Sequence, residues 1–276
     1  MSVTTKTLFL TIDDGPSVHM TEKVDYLSER GIPAILFCIG RQLKKRPEAA
    51  LHAIQKGFVI GNHSTTHPHF SDASLDECCR EITEADRLID ALYKTAGKER
   101  PAKWFRFPYG DKGDGKYGMV FDTARQPDLH RKQYLQSFLR ELGYCQPAFE
   151  GVTHEFYRHA GLLDDVDWHW TFDFMEYATF QRRSIFRPRS LFGMRTLSHV
   201  LRRIEDTCPS EARGKLPRQP RWLGDRISDE IVLLHDHEQT TSMFPRIIDR
   251  LIEKAVRFGT PLYLAGRTEE RLLQNP

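Results

Sequence analysis

Apolar and polar positions along this chain follow two periods in turn. Thr7–Ile12, Ala34–Ile39 and Phe58–Ile60 are short, continuous apolar runs, the pattern of strands buried on both faces. Between them, Met20–Arg30 and Pro47–Lys56 carry helical spacing and are stopped by Gly31 and Gly57. Ser74-Leu-Asp-Glu77 is a capping box. Behind it Leu75, Cys78, Ile82, Ala85, Ile89 and Leu92 step by three and four, which predicts one buried helical face. Trp104–Phe107 and Glu230–Leu234 read as further strands. Phe244, Ile247, Ile248, Leu251, Ile252 and Ala255 predict a helix ended by Gly259, with Pro261–Leu264 as a last strand. Strands alternating with helices predict an α/β fold, a parallel sheet covered by helices. This pattern alone leaves an open sheet and a barrel both standing.

Two stretches break the rhythm. Gly110–His130 holds four glycines within nine residues and predicts a long loop. From Trp168 to Asp229 the period blurs around one helix predicted near Leu191–Thr207. No apolar run approaches the ~18 residues of a bilayer-spanning helix. With 276 residues, 39% of them hydrophobic, there is enough apolar material for a packed core. The total charge of +2 is too mild to point to nucleic acid or membrane, but it hides an asymmetry. Residues 181–226 hold twelve Lys and Arg against four Asp and Glu, a local +8 that leaves −6 for the remainder. Such a segment suits an acceptor carrying phosphate or carboxylate, or is simply a solvated surface. The five cysteines are odd in number, Cys78 and Cys79 are adjacent, and no C-x-x-C pair occurs. These features predict reduced thiols rather than disulfides or cysteine-bound zinc. The start of the chain lacks the apolar core of a signal peptide, so a cytoplasmic protein is expected.

Candidate chemistry gathers just past the predicted strand ends, the edge where parallel α/β sheets place their sites. Asp13 and Asp14 are adjacent carboxylates that need a cation or an arginine beside them. His63 and His67, four residues apart, face the same way if their segment is one helical turn, a spacing used by zinc sites. Arg106 can pair with one of the carboxylates, and the Pro108-Tyr109-Gly110 turn can present a backbone N–H to an oxyanion. His235 ends an apolar strand, and Asp167 set against its imidazole would raise its pKa and suit it as a general acid. Taken singly, each cluster also has a plain structural reading as a cap, a core histidine or a surface arginine. Gly110–Lys116 approximates a phosphate-binding loop, but Tyr117 stands where Ser or Thr would bind magnesium and no helix is predicted to follow. Nucleotide hydrolysis is set aside.

Five motifs stand in order: Thr11-Ile-Asp-Asp-Gly-Pro16, His63-Ser-Thr-Thr-His67, Arg106-Phe-Pro-Tyr-Gly110, Asp164-Asp-Val-Asp-Trp168 and Leu233-Leu-His-Asp236. On these motifs the chain resembles the polysaccharide deacetylase family, the NodB-homology carbohydrate esterases of family 4. Ile12 stands where that family usually has Phe. The resemblance implies a distorted (β/α) barrel spanning 1–276 as one domain, with long insertions at 111–163 and 169–229. It implies a metal-dependent hydrolase that removes N-acetyl groups from an amino sugar, oligosaccharide or polysaccharide. Asp14, His63 and His67 would bind a divalent metal, zinc first, with cobalt, nickel or manganese as alternatives. Asp13 would be the general base, held by Arg106, and the Tyr109 backbone N–H would stabilise the oxyanion. His235, tuned by Asp167, would protonate the leaving amine, while Trp168 and Leu233 would line the pocket for the acetyl methyl. The expected partner is an N-acetylated sugar, with an anionic one suggested by the Arg-rich segment and no nucleic acid. Two other readings remain: a deformylase or other C–N amidohydrolase on a soluble or lipid-linked metabolite, and a non-catalytic sugar- or anion-binding module.

Overall fold

The computed structural model describes residues 6–115, 128–147, 149, 151–154, 157, 161–162, 164–180, 194–205 and 228–260. Strand β1 (Thr7–Gly15) leads through α1 (Met20–Ser28) to β2 (Ile35–Cys38). The short helices α2 (Gly40–Lys45) and α3 (Pro47–Gln55) then return the chain to β3 (Val59–Asn62). Helix α4 (Leu75–Thr95) follows its expected capping box, in which Ser74 and Glu77 each accept from the other's backbone N–H. Beyond it come α5 (Leu129–Glu141), β4 (Phe172–Asp173), α6 (Leu197–Glu205), β5 (Glu230–His235), α7 (Phe244–Glu253) and β6 (Arg257–Phe258).

All pairings are parallel. The sheet runs β3-β2-β1-β5-β4, and β6 pairs with the first two residues of β1. The expected strand Trp104–Phe107 forms only an isolated bridge, Phe105 to Asn62. It still continues the ring. Asn62 N–H donates to the Trp104 carbonyl (2.8 Å) and Arg106 N–H to the Asn62 carbonyl (3.0 Å). Trp168 N–H then donates to the Phe105 carbonyl (2.8 Å), and the chain runs directly from Trp168 into β4, which pairs with β5. Backbone hydrogen bonds therefore pass from β3 through two irregular segments back to β4, as in a distorted barrel.

Strand alternation sorts the side chains. Phe9, Ile35, Phe37, Val59 and Ile231 pack inside with Trp104 and Trp168. Leu8, Leu10, Ile12, Leu36, Ile60, Val232 and Leu234 face outward onto the helices. The inner column of β1 is Phe9, Thr11, Asp13, so the alternation that fills the core also delivers a carboxylate to the strand's C-terminal end.

Several expectations shift. The stretch read as loop up to His130 gives way to α5 from Leu129, begun by Asp128, whose side chain accepts from Arg131 N–H. The helix expected to reach Gly259 ends at Glu253, because Ala255 turns left-handed (φ 53°) and the chain re-enters the sheet as β6. The helix near 191–207 is observed over Leu197–Glu205. Lys116–Tyr117, the Pro261–Leu264 strand and all of the Arg-rich 181–226 segment except 194–205 lie outside the described residues.

Candidate active site

Two neighbouring residues of a regular strand point to opposite faces, yet Asp13 and Asp14 both reach the same site. The reason is local. Between Asp13 and Gly15 the register against β2 shifts, and Asp14 takes a left-handed conformation (φ 71°). A bulge of this kind re-aims a side chain at a strand end. Asp13 is held from inside the barrel: the buried Arg106 guanidinium donates from Nη1 to Asp13 Oδ1 and to Thr11 Oγ1, both at 2.7 Å. Arg106 Nε also donates to the Trp168 carbonyl (3.3 Å), and the guanidinium lies over the Phe37 ring, 4.4 Å from its centroid.

His63 and His67 do not sit on a helical turn. Their loop is shaped by left-handed residues, Ser64 (φ 63°) and His67 (φ 65°). Asn62 Oδ1 accepts from Ser64 N–H, Ser64 Oγ from His67 N–H, and Glu81 of α4 from Thr65 N–H and Thr66 N–H. Gly61 precedes the loop because any Cβ there would lie 2.5 Å from the Phe37 ring. The convergence expected from a helical i, i+4 spacing is thus achieved by a loop pinned to α4.

Asp14, His63 and His67 bring one ligand atom each to within 4.8 Å of one another. His63 Nδ1 is 2.8 Å from the Arg106 carbonyl, which can only accept, so Nδ1 carries the proton and Nε2 presents a lone pair. Burial pushes the His63 pKa down to about 4, which keeps the ring neutral. Asp14 Oδ1 is buried without a hydrogen-bond donor, 3.5 Å from His63 Nε2 and 3.2 Å from His67 Nε2. Bonds of ~2.0–2.1 Å in a tetrahedral site set neighbouring ligand atoms roughly 3.3 Å apart. An acceptor oxygen facing an imidazole lone pair at that spacing fits a divalent cation. Burial works to raise the Asp14 pKa, but the His237 hydrogen bond and the neighbouring His67 and His235 imidazoles overrule it and hold the group well below the ordinary carboxylate value.

On the other side stands His235, in register with Asp13 across β5 and β1. Its carboxylate partner is Glu176, not the expected Asp167. Glu176 Oε1 accepts from the His235 backbone N–H (2.6 Å) and lies 3.0 Å from its Nδ1. Burial alone would lower the His235 pKa, but the charge and hydrogen bond of Glu176 dominate, with Asp14 and Asp173 adding, and push it up to about 10. Asp173 ends β4 and joins Glu176 and His235 in a second group of close ligand atoms. Asp167 is buried elsewhere, bonded to Lys112 Nζ (3.0 Å) and Gln136 Nε2 (2.7 Å). The physical reason is register: the residues that pair with β5 are Phe172 and Asp173, five and six residues beyond Asp167.

Two further expectations change in detail. Trp168 is fully buried among Trp104, Phe37 and Phe149, and the tryptophan that packs with Leu233 is Trp170. Tyr109 is left-handed (φ 59°) and exposed, its ring stacked on His69 at 3.8 Å and edge-on to His67 at 4.5 Å. Sequence reasoning missed His237 altogether, although it lies two residues from His235 and therefore on the same side of an extended segment. Its Nε2 is 2.8 Å from Asp14 Oδ2.

Fold and site together give a parallel α/β sheet, continued by backbone hydrogen bonds as in a distorted barrel, with a histidine–aspartate group that could hold a metal beside a tethered carboxylate and an acid-paired histidine. The family described as polysaccharide deacetylase matches residues 1–119 of the chain. A chitooligosaccharide deacetylase of Sinorhizobium fredii is 36% identical over 104 residues, 37% of this chain and 46% of that relative. A peptidoglycan-N-acetylglucosamine deacetylase of Bacillus cereus is 32% identical over 103 residues, 37% of this chain and 36% of that relative. The matches thus span less than half the length of these curated relatives. In fold the likeness is wider. A family 4 carbohydrate esterase from Streptomyces lividans in complex with acetate superposes with a TM-score of 0.53 at 19% identity, over 92% of both chains. A family 4 pseudoenzyme from Bacillus anthracis gives 0.56 at 18% identity, over 92% of this chain and 63% of its own. Over residues 1–119, which hold the first three motifs, the chain is similar to the polysaccharide deacetylases, and its fold is similar to that of the family 4 esterases.

Proposed function

We propose that this chain is a metal-dependent N-deacetylase of an N-acetylated amino sugar. The observation that carries the reading is the buried, donorless Asp14 Oδ1 facing the imidazole nitrogens of His63 and His67, with Asp13 and His235 beside it. Asp14, His63 and His67 would hold the ion, zinc before cobalt, nickel or manganese. When bound, such an ion lowers the pKa of water towards ~7 and polarises a carbonyl.

The chain's own residues supply the rest. Asp13 is fixed through Oδ1 to Arg106, which leaves Oδ2, 3.6 Å from His63 Nε2, to take the proton of the attacking water. The buried guanidinium keeps that oxygen in place and compensates its charge. Glu176 holds the His235 ring through Nδ1, so the ring is oriented and protonated to donate to the departing amine. The Tyr109 backbone N–H is the proposed oxyanion donor, and Leu233 with Trp170 forms the apolar wall for the acyl methyl. A sugar- or anion-binding module without turnover would need neither the Arg106-held carboxylate nor the Glu176-held imidazole.

No helix among the described residues is long and apolar enough to cross a membrane. Cys38, Cys78, Cys79 and Cys145 are free thiols, which supports the proposal of a reducing, cytoplasmic setting. The Arg-rich 181–226 segment supports an anionic acceptor.

The test is acetate release by the zinc-loaded protein from N-acetylglucosamine oligomers, with and without phosphate-bearing acceptors, formate being measured in parallel. Acetate release that depends on metal is the expected result. Formate alone would shift the reading to a deformylase. Tight sugar binding with neither product would replace the enzyme by a binding module.

A further inference from the structure

The histidine absent from the motif set sits on the least expected part of the cradle. Past β5 the chain stays extended, and alternation sends Asp236 to the helix side. There it accepts from Lys23 Nζ (2.6 Å), Ser17 N–H (2.6 Å) and Ser17 Oγ (2.8 Å). His235 and His237 therefore both turn to the site. The His237 ring stacks on His235 (5.3 Å between centroids, 25°) and receives the edge contact of Phe180 at 5.5 Å, so its plane is set by packing. Its Nε2 lies 2.8 Å from Asp14 Oδ2, and a carboxylate can only accept there, so Nε2 carries the proton. The opposite oxygen, Oδ1, is the one that faces His63 and His67.

We propose that His237 is a positioning residue for metal binding: by occupying Asp14 Oδ2 it holds the carboxylate with Oδ1 alone turned to the two ligand histidines. This rests on the reading of Asp14, His63 and His67 as the metal cradle. A carboxylate on a left-handed residue at a bulge has no neighbouring strand to fix its rotation. Without a donor on Oδ2 it can offer either oxygen, both, or neither, and each added freedom must be lost on binding. A ligand oriented from behind binds more tightly, and loss of such a partner typically costs 10–100-fold in metal affinity.

The test compares zinc affinity by chelator competition in the full chain for the parent, His237→Phe and His237→Gln, and requires no turnover. Phe keeps a flat ring for the stack but has no donor; the Gln amide places an N–H near the original Nε2. Circular dichroism and melting of the metal-free variants report folding, and His237→Leu replaces Phe if that ring is not accommodated. The expected result is a 10–100-fold weaker zinc affinity for Phe at unchanged stoichiometry, and recovery to within about threefold of the parent for Gln. The cobalt-loaded Gln variant should keep the parent's visible spectrum. Phe binding within about twofold of the parent, or Gln losing as much as Phe, overturns the proposal. A changed cobalt spectrum in Gln also overturns it, because His237 would then be a direct ligand. A parent that binds no zinc fails the cradle reading itself, a separate outcome.

Discussion

Adjacent residues here carry different chemistry because their environments differ. Asp13 is buried and locked to a guanidinium, while Asp14 leaves one oxygen without a donor. Asp13→Asn should therefore lower turnover by about 10²–10⁴-fold, the usual worth of a general base. Zinc should still bind to the protein with one-to-one stoichiometry, as metal analysis of the dialysed variant would check. Glu176 makes a second residue-scale claim. Its charge raises the proton affinity of His235, so the imidazole is protonated below its elevated pKa, about 10, and loses its proton above it. In Glu176→Gln that pKa falls, and the alkaline limb of the kcat/KM profile should move to lower pH. An unshifted limb at reduced rate would show that Glu176 only supports the loop. Asp167→Asn serves as the contrast. It touches Lys112 and Gln136 and should leave the limb where it is.

At the scale of elements, the site is assembled from strand ends that are anchored on the far side. The clearest anchor is the Lys23–Asp236 pair, with both side chains nearly inaccessible (4% and 2%), which ties α1 to the end of β5. Removing one partner leaves the other charge buried without compensation. Lys23→Met should cost about 3 kcal/mol in urea unfolding and weaken metal binding by loosening His235 and His237 together. Helix α4 plays the same part for the histidine loop through Glu81. Its capping box and apolar stripe were plain in the sequence, because both depend on residues three and four apart. That α4 would also hold the His63–His67 loop was not, since Glu81 is sixteen residues from Thr65 and shares no periodic pattern with it. Segment 104–107 shows the reverse case: its apolar run reads as a strand, but only one bridge forms, because its role is to carry hydrogen bonds from β3 to Trp168.

On the scale of the whole molecule, residues from position 13 to position 237 meet at one site, so a metal held there as proposed would couple its binding to folding. A ligand that binds only the folded state stabilises it by about 2.7 kcal/mol at a hundredfold excess over its dissociation constant. Saturating zinc should raise the melting temperature by roughly 5–10 °C, chelator should reverse the rise, and Asp14→Asn should abolish it. A zinc-independent melting curve for the parent would argue against the cradle.

The sequence by itself determined what local periodicity and residue chemistry can encode. These are alternating strands and helices, the carboxylates at the end of β1, two histidines after β3, an arginine and a histidine at later strand ends, and the family they resemble. Tertiary structure decided what depends on register and on chain reversals. A bulge brought Asp14 round beside Asp13. Pairing of β4 with β5 selected Glu176 and Asp173, rather than Asp167, as the carboxylates nearest His235. The same pairing put Trp170, rather than Trp168, against Leu233. His237 was visible as a letter but had no assigned place until the extended end of β5 set it against Asp14. The physical reason is common to all four. A side chain's identity is local, whereas its direction is set by hydrogen bonds to a strand that lies far away in the chain.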